Sequence, residues 1–460
     1  MNSTPDGLSD SVCEFLAQTS YDDLPDATRI AAKRAILDAT GVIIAASGLS
    51  ADTLPFIRLA RSATGPCTLL GYDDLVLPQM AAFGNGAMAH ALDFEDAFDR
   101  APCHPNAAAV PAAIAIAQAY GPVDGREFVT AITVGCELAC RMALSLRQGL
   151  EENGWYPPTI LGAFGAAAAA ARLLKLSAAQ IRDALSLTLC QVTAPGEIKN
   201  SPGTVVRAVR EAFPAQAAVI SAVLAREGVR GFEAPLEGQD GFFRLYADGN
   251  YEPGALLDGL GSDLLIGQLS FKPWPTCRGT HAYVEIALGL RQKYGFRWTD
   301  IESVVVDTGP VQQMLVDPLI RKQAPQTIID AKFSIPFVVA MTFVRGRVTL
   351  EDFSDDVLGD PDILQMASHI SPRAHPDWGT GHATNGALTV TLTDGRALSG
   401  QVDNALGSPA TPIATEALEE KFLGCCAHAA SAADLGRAKV MAAEILALEE
   451  YPDCGSCFRL

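Results

Sequence analysis

The stretch "ILGAFGAAAAAARLLKLS", residues 160–177, constrains the fold more than any other part of the chain. Alanine is the best helix former, and a surface of Ala and Gly lets a neighbouring helix axis approach more closely than larger side chains allow. The segment therefore reads as a buried helix of a bundle. "AFPAQAAVISAVLAREG" (212–228) has the same character, and helical periodicity dominates from Pro25 to about Gly267.

The pattern changes after "LSFKPWPTCRGTHA" (269–282). A helix is predicted through about Tyr294, followed by "ESVVVDTG", which alternates as a strand does. "ALTVTLTDGRALSGQV" (387–402) reads as two strands joined through Asp394 and Gly395, a dipeptide favoured in tight hairpin turns. Helical periodicity returns after the Thr411-Pro412 break. The expectation is a mainly α protein: a large, discontinuous all-helical domain of residues 1–268, completed by 411–460, and a smaller α+β domain of 269–410. No low-complexity linker separates them, so close docking is expected.

A length of 460 residues with 49% hydrophobic content supports a large core. The net charge of -19, from 53 acidic and 34 basic residues, argues against nucleic acid or an anionic membrane as partner, because phosphate binding needs a positive footprint. The opening "MNSTPDGLSD" has neither the basic region nor the apolar run of a signal peptide, and no segment reaches about 18 uncharged apolar residues. A cytoplasmic location and a small-molecule partner are expected. The eleven cysteines show no disulfide framework, and Cys454 and Cys457 lack the second pair of a zinc site. No metal ligand set is expected.

Ionisable groups gather in three places. "HALDFEDAFDRAPCHP" (90–105) holds two histidines and the carboxylates of Asp93, Glu95, Asp96 and Asp99. Within it, "NGAMAHALDFED" predicts a helix carrying His90 and Asp93, and the following segment predicts a second helix capped by Asn106. His104 then sits beside a helix amino terminus, where free amides and a partial positive charge suit a bound carboxylate. Plain capping and loop polarity would also account for Asn106 and Asp99.

"GTVVRAVREAF" (203–213) places Arg207 and Arg210 one turn apart, as a bidentate carboxylate clamp or as a solvated basic face. "FKPWPTCRGTHAYVEIA" fixes Lys272 next to Pro273 and Pro275 and sets Cys277, Arg278 and His281 at a helix start. Cys277 reads more readily as a packed thiol than as a nucleophile. An acidic chain that collects Lys272, Arg207, Arg210, Arg278, His104 and Asp93 at domain edges has the layout of a polycarboxylate pocket.

Seven stretches, "GNGAMAHALDFEDAF", "HPNAAAVPAAIAIAQAYG", "GWYPPTILGAFGAAAAAARLLKLS", "EGQDGFFRLYADG", "FKPWPTCRGTHA", "DAKFSIPFVVA" and "LTDGRAL", follow one another in the order found in the MmgE/PrpD family, which the chain resembles. That family includes 2-methylcitrate dehydratase, cis-aconitate decarboxylase and iminodisuccinate epimerase. The resemblance implies a helical domain interrupted by an α+β domain, a homodimer, and chemistry without metal or organic cofactor. The shared reaction is removal of a proton or carboxylate next to a carboxylate, which needs a base, an acid and cations for the developing charge.

Carried over by motif, Asp93 and Asp96 match the family's paired aspartates, His104 its His-Pro histidine, and Lys272 the lysine of its Lys-Pro-aromatic-Pro run. The chain departs from the pattern at Tyr156, where relatives have histidine, at Ala97, where they have threonine, and at Arg207 and Arg210, where they have Lys-x-x-His. Arginine stays charged where lysine can shed a proton, so these changes alter what moves protons in the pocket.

The expected function is a lyase, dehydratase or decarboxylase, of a small di- or tricarboxylate or related acid. Asp93, His104, Lys272 and Tyr156 form the expected catalytic set; Asp96, Arg207, Arg210, Cys277, Arg278 and His281 are expected to bind substrate. An isomerase or epimerase, or a carboxylate-binding relative that has lost catalysis, would use the same pocket.

Overall fold

The computed structural model describes residues 7–460 apart from 148, 202 and 433; residues 1–6, at the start of the expected helical domain, lie outside them. The helices that position the site are α1 (Asp26–Leu49), α2 (Pro78–Ala89), α3 (Pro105–Tyr120), α4 (Gly125–Ser145), α5 (Pro157–Leu173), α6 (Ala212–Arg226), α7 (His281–Tyr294), α8 (Ile335–Arg345) and α9 (Thr415–Cys426).

The Ala-rich segment is α5, in which every residue but Arg172 is buried. It packs against α3, α4 and α6. Where α4 and α5 cross, a Cβ added at Gly135 would lie 2.5 Å from the Gly165 carbonyl oxygen, and one at Gly165 would lie 2.6 Å from that of Gly135. Glycine on both sides thus sets the separation of these axes, and an alanine at either would push them apart.

α4 and the segment Val206–Arg226 have the length and mean hydropathy, 1.4 and 1.2, of membrane-crossing helices, yet 94% and 72% of those windows are buried inside the protein. A helix apolar on all sides suits the middle of a large bundle equally well. Both segments also carry internal ion pairs, Arg141 with Glu137 and Arg210 with Glu211.

A short hairpin of β1 (Thr64–Thr68) and β2 (Leu75–Val76) interrupts the helical part, a feature that helical periodicity does not announce. The larger sheet has the order β4-β3-β5-β6, formed by β3 (Ile301–Thr308), β4 (Ile370–Ala374), β5 (Gly386–Leu392) and β6 (Ala397–Val402). β4 runs parallel to β3, and the remaining pairs are antiparallel. The β5–β6 turn holds Gly395 at φ 86°, in the left-handed region that Asp-Gly turns use. α7 packs on β5, β6 and α8.

Buried apolar residues form two clusters. One runs from Leu8 to Phe271 and resumes with Leu418 through Phe458; α9 packs on α1 within it. The other is built mainly from Tyr283 to Leu398, with Phe83, Ala87, Ala208, Val209 and Ala212 contributed from the helical part. The loop between α2 and α3 meets the 270–278 segment in the seam. There Ala97 and Ser270 exchange two backbone hydrogen bonds of 2.9 and 2.8 Å, and the Phe271 amide donates to Gly407 O at 3.0 Å.

Two local expectations are corrected at this seam. The helix predicted through Asp96 ends at Ala89 with His90 as its cap, because Asp93 adopts φ 49°, a left-handed conformation uncommon outside glycine. α3 begins at Pro105, so its cap position is His104. Asn106 lies one residue inside, and its side-chain amide donates to Asp96 Oδ2 at 3.1 Å.

Candidate active site

Ending α2 at Ala89 turns the following residues back on themselves, so that the carboxylates of the loop face the segment after Ser270. Lys272 Nζ lies 2.5 Å from Asp93 Oδ1, 3.1 Å from Asp93 O and 3.8 Å from Glu95 Oε2, and all three residues are buried. His90 Nδ1 bonds to Glu95 Oε1 and lies 3.9 Å from Asp93 Oδ1. Burial opposes charge on Asp93, but the Lys272 ammonium outweighs it and holds the carboxyl below its ordinary value. Burial likewise opposes the Lys272 ammonium, and Asp93 and Glu95 overcome that, raising it. The two therefore stand as a carboxylate and an ammonium.

His104 Nδ1 is 2.8 Å from Asp96 O. A carbonyl oxygen only accepts, so Nδ1 carries the hydrogen and Nε2 keeps its lone pair. Burial, countered by Glu95 and reinforced by Lys272 and Arg210, lowers the His104 pKa to about 3, leaving a neutral imidazole. Its side chain is 17% exposed, unlike the fully enclosed Glu95 beside it. His90, whose ring lies 5.6 Å from that of His104, is also held neutral, by burial first and Arg210 next, and its Nε2 has no hydrogen-bond partner among the described residues. Burial, aided by Asp38 and Glu95, pushes the Asp96 carboxyl up to about 8, so it is mostly protonated near neutral pH.

The two arginines differ sharply. Arg207 is 7% exposed, and its side chain has no hydrogen bond or ion pair among the described residues. Its guanidinium carbon lies 3.4 Å from the Phe333 ring centroid and 6.0 Å from that of Tyr156. Arg210 instead donates to Glu211 Oε1 at 2.9 Å and to Arg207 O at 3.0 Å, and lies 5.1 Å from the Tyr156 ring centroid. The expected two-arginine clamp is thus reduced to Arg207. Lys322 Nζ donates to Phe333 O at 2.7 Å, and burial together with Arg207 lowers its pKa to about 8, so a second cation stands near Arg207. The Tyr156 hydroxyl makes no hydrogen bond among the described residues, which leaves it available to a ligand.

Three residues expected to bind substrate are engaged otherwise. Arg278 donates to both Asp99 oxygens at 3.2 Å, to Leu406 O at 2.7 Å and to Ala405 O at 2.9 Å. His281 donates from Nε2 to Thr276 O at 3.1 Å and accepts from Arg278 at Nδ1. This pair ties the 99, 276 and 405 segments together, with four of the five Arg278 N–H groups engaged. Cys277 is a thiol pushed up to about 11 by burial and then Asp93, which removes the thiolate a nucleophile needs.

Outside the expected set, the structure adds His90, Glu95, Lys322 and Lys332 to this neighbourhood. His90 and Glu95 stood in the acidic stretch, but a helical reading separated them; the two lysines carry no motif spacing of their own. His90, Asp93 and Glu95 bring ligand-type atoms within 4.8 Å of one another. Lys272 already supplies the positive charge that Asp93 and Glu95 require there. What the cluster offers chemically is a neutral imidazole with a free lone pair, an ammonium for a proton or a developing charge, and an unpaired guanidinium for an anion.

Two family models match the chain: one described as the MmgE/PrpD N-terminal domain over residues 10–253, the other as the MmgE/PrpD C-terminal domain over 274–445. The chain is similar to a cis-aconitate decarboxylase of Homo sapiens, with 27% identity over 409 residues, 85% of this chain and 82% of that protein. It is 25% identical to a cis-aconitate decarboxylase of Aspergillus terreus over 473 residues, 97% of this chain and 94% of that protein. A 2-methylcitrate dehydratase of Escherichia coli is 26% identical over 341 residues, 69% of this chain and 68% of that protein.

Proposed function

Because the chain belongs to the MmgE/PrpD family, we propose that it is a lyase that removes carbon dioxide or water from a small tricarboxylate, working without a metal or organic cofactor. The observation that carries the reading is Arg207, a buried guanidinium whose side chain has no hydrogen bond or ion pair among the described residues and which stacks on Phe333, whose ring lies 6.3 Å from that of His90. A buried cation without a counter-ion is costly, and a substrate carboxylate would relieve it.

In the decarboxylation reading, Arg207 and Lys322 hold carboxylates, the bond from carbon to the departing carboxylate breaks, and its electron pair moves onto the substrate carbon skeleton. The Lys272 ammonium faces that charge and supplies the proton that a carbon takes up. In the dehydration reading, His104 Nε2 takes the carbon-bound proton and the hydroxyl leaves with one from Lys272. An anionic substrate beside His104 would raise its proton affinity from its low resting value. Asp93 keeps Lys272 charged and oriented until that proton is given up.

The relatives named cis-aconitate decarboxylase match over more of the chain than the dehydratase does, so cis-aconitate is the first substrate to test. Release of carbon dioxide from cis-aconitate, or of water from 2-methylcitrate, followed by mass, is the expected result. Unchanged mass with solvent deuterium entering the substrate would replace this reading with an isomerase. Binding without turnover or exchange would replace it with a silent carboxylate-binding relative, a reading motivated by Tyr156, Ala97 and Arg207.

A further inference from the structure

Three consecutive carbonyls of the Asp93 loop each accept a hydrogen bond from a different lysine. Lys332 Nζ is 2.8 Å from Leu92 O, Lys272 Nζ 3.1 Å from Asp93 O, and Lys421 Nζ 2.7 Å from Phe94 O. The outer two also reach the opposite side of the site: Lys332 lies 2.9 Å from Pro275 O, and Lys421 lies 3.0 Å from Lys272 O. Each therefore bridges one carbonyl next to Asp93 and one at or just after Lys272.

The two bridges come from unrelated parts of the chain. Lys332 ends the short helix Ile328–Lys332 and is 1% exposed, with Nζ 4.1 Å from the Phe353 ring centroid. Lys421 lies on α9, pairs with Asp38 of α1 at 2.6 Å, and stands 3.7 Å from the Phe94 ring centroid. Lys332 has no carboxylate within ion-pair distance among the described residues, so the two carbonyls are its hydrogen-bond partners. Backbone oxygens are weak compensation for a buried amine, and Asp93 between them holds an unusual left-handed conformation. A loop without regular secondary structure needs such ties to keep one geometry.

We propose that Lys332 and Lys421 are positioning residues that pin the Asp93 loop to the Lys272 segment, so that the Asp93 carboxylate and the Lys272 ammonium meet in a single arrangement. The proposal rests on the reading of that pair as the catalytic centre. It gives α9 a role in the chemistry: the carboxyl-terminal helix supplies one of the two ties. Binding through backbone carbonyls leaves the catalytic side chains themselves free for substrate.

Lys332→Met and Lys421→Met remove the donors and keep most of the apolar stem. The expected result is faster backbone hydrogen exchange confined to residues 90–99 and 270–277, with kcat on cis-aconitate reduced about a hundredfold and KM changed by less than about twofold, as for a misplacement of catalytic groups. Lys421→Met leaves Asp38 unpaired; if it does not fold, Asp38→Asn combined with Lys421→Met neutralises the pair and carries the same comparison. Unchanged exchange in the two segments overturns the proposal, whatever happens to kcat. If the wild-type protein does not turn over cis-aconitate, the exchange measurement still decides the clamp, and only the proposed function fails.

Discussion

Lys272 and Asp93, 179 positions apart in the chain, meet as a fully buried ion pair with Nζ 2.5 Å from Oδ1. Removing either partner strands a charge in the interior. Lys272→Ala leaves Asp93 and Glu95 uncompensated and is expected to destabilise the protein by about 3–5 kcal/mol as well as abolish turnover. His104→Ala separates chemistry from folding, since His104 is neutral and partly exposed. It is expected to lower kcat by at least about a hundredfold while the thermal midpoint stays close to wild type. Turnover near the wild-type level would remove His104 from the mechanism.

The neighbouring arginines are expected to respond in opposite ways. The Arg207 side chain has no hydrogen bond or ion pair among the described residues, only its stacking on Phe333, so Arg207→Ala should raise KM and cost no more than about 2 kcal/mol of stability. Arg207→Lys should recover part of the binding without the bidentate fork. Arg210→Ala strands the buried Glu211 and should cost about 3 kcal/mol or more of stability. Denaturant unfolding beside steady-state kinetics reads both effects, and unchanged constants in both Arg207 variants would make that residue a bystander.

Stability should depend on pH through His104 and Asp96 with opposite signs. His104 has a folded pKa of about 3. Below its unfolded value of about 6.5 the unfolded chain binds the extra proton, so stability falls as pH falls, by at most about 1.4 kcal/mol per pH unit. His104→Asn should therefore lose less stability than wild type on going from about pH 7 to pH 5. Asp96, raised to about 8, keeps a proton that the unfolded chain releases above about pH 4, so its contribution falls as pH rises between those values. Asp96→Asn should flatten that decline. Thermal midpoints across the pH range give both differences, and parallel curves for variants and wild type would contradict the assigned protonation states.

Activity should survive exhaustive chelation. His90, Asp93 and Glu95 have the donor types of a divalent site, but the Lys272 ammonium already stands against both carboxylates. Loss of turnover on chelation, restored by one added divalent ion, would show that a metal displaces Lys272 in the working enzyme.

Much of the architecture follows from local pattern. The Ala-rich run at 160–177 requires close helix neighbours, and the Gly135–Gly165 crossing shows how close. The β5–β6 hairpin turns at Asp394-Gly395 where that dipeptide predicts it. His104, Asp93 and Lys272 could be singled out because ionisable groups in an apolar neighbourhood, and prolines beside a lysine, are visible within a short window of sequence.

Composition and spacing alone establish the kind of chain this is: mainly helical, acidic, with its ionisable groups concentrated in a few short segments. Which of those groups are free to act depends on the folded arrangement. Arg207 and Arg210 are three residues apart and chemically identical, yet one is paired with Glu211 and the other is not. Arg278 and His281 look like ligand groups until the 405–406 carbonyls and Thr276 occupy their hydrogen bonds. The lysines that bridge the site contact residues 240 and 327 positions away. Helix and turn propensities act over a few neighbouring residues, whereas the pairing and burial of a charge depend on which distant segments the fold brings against it.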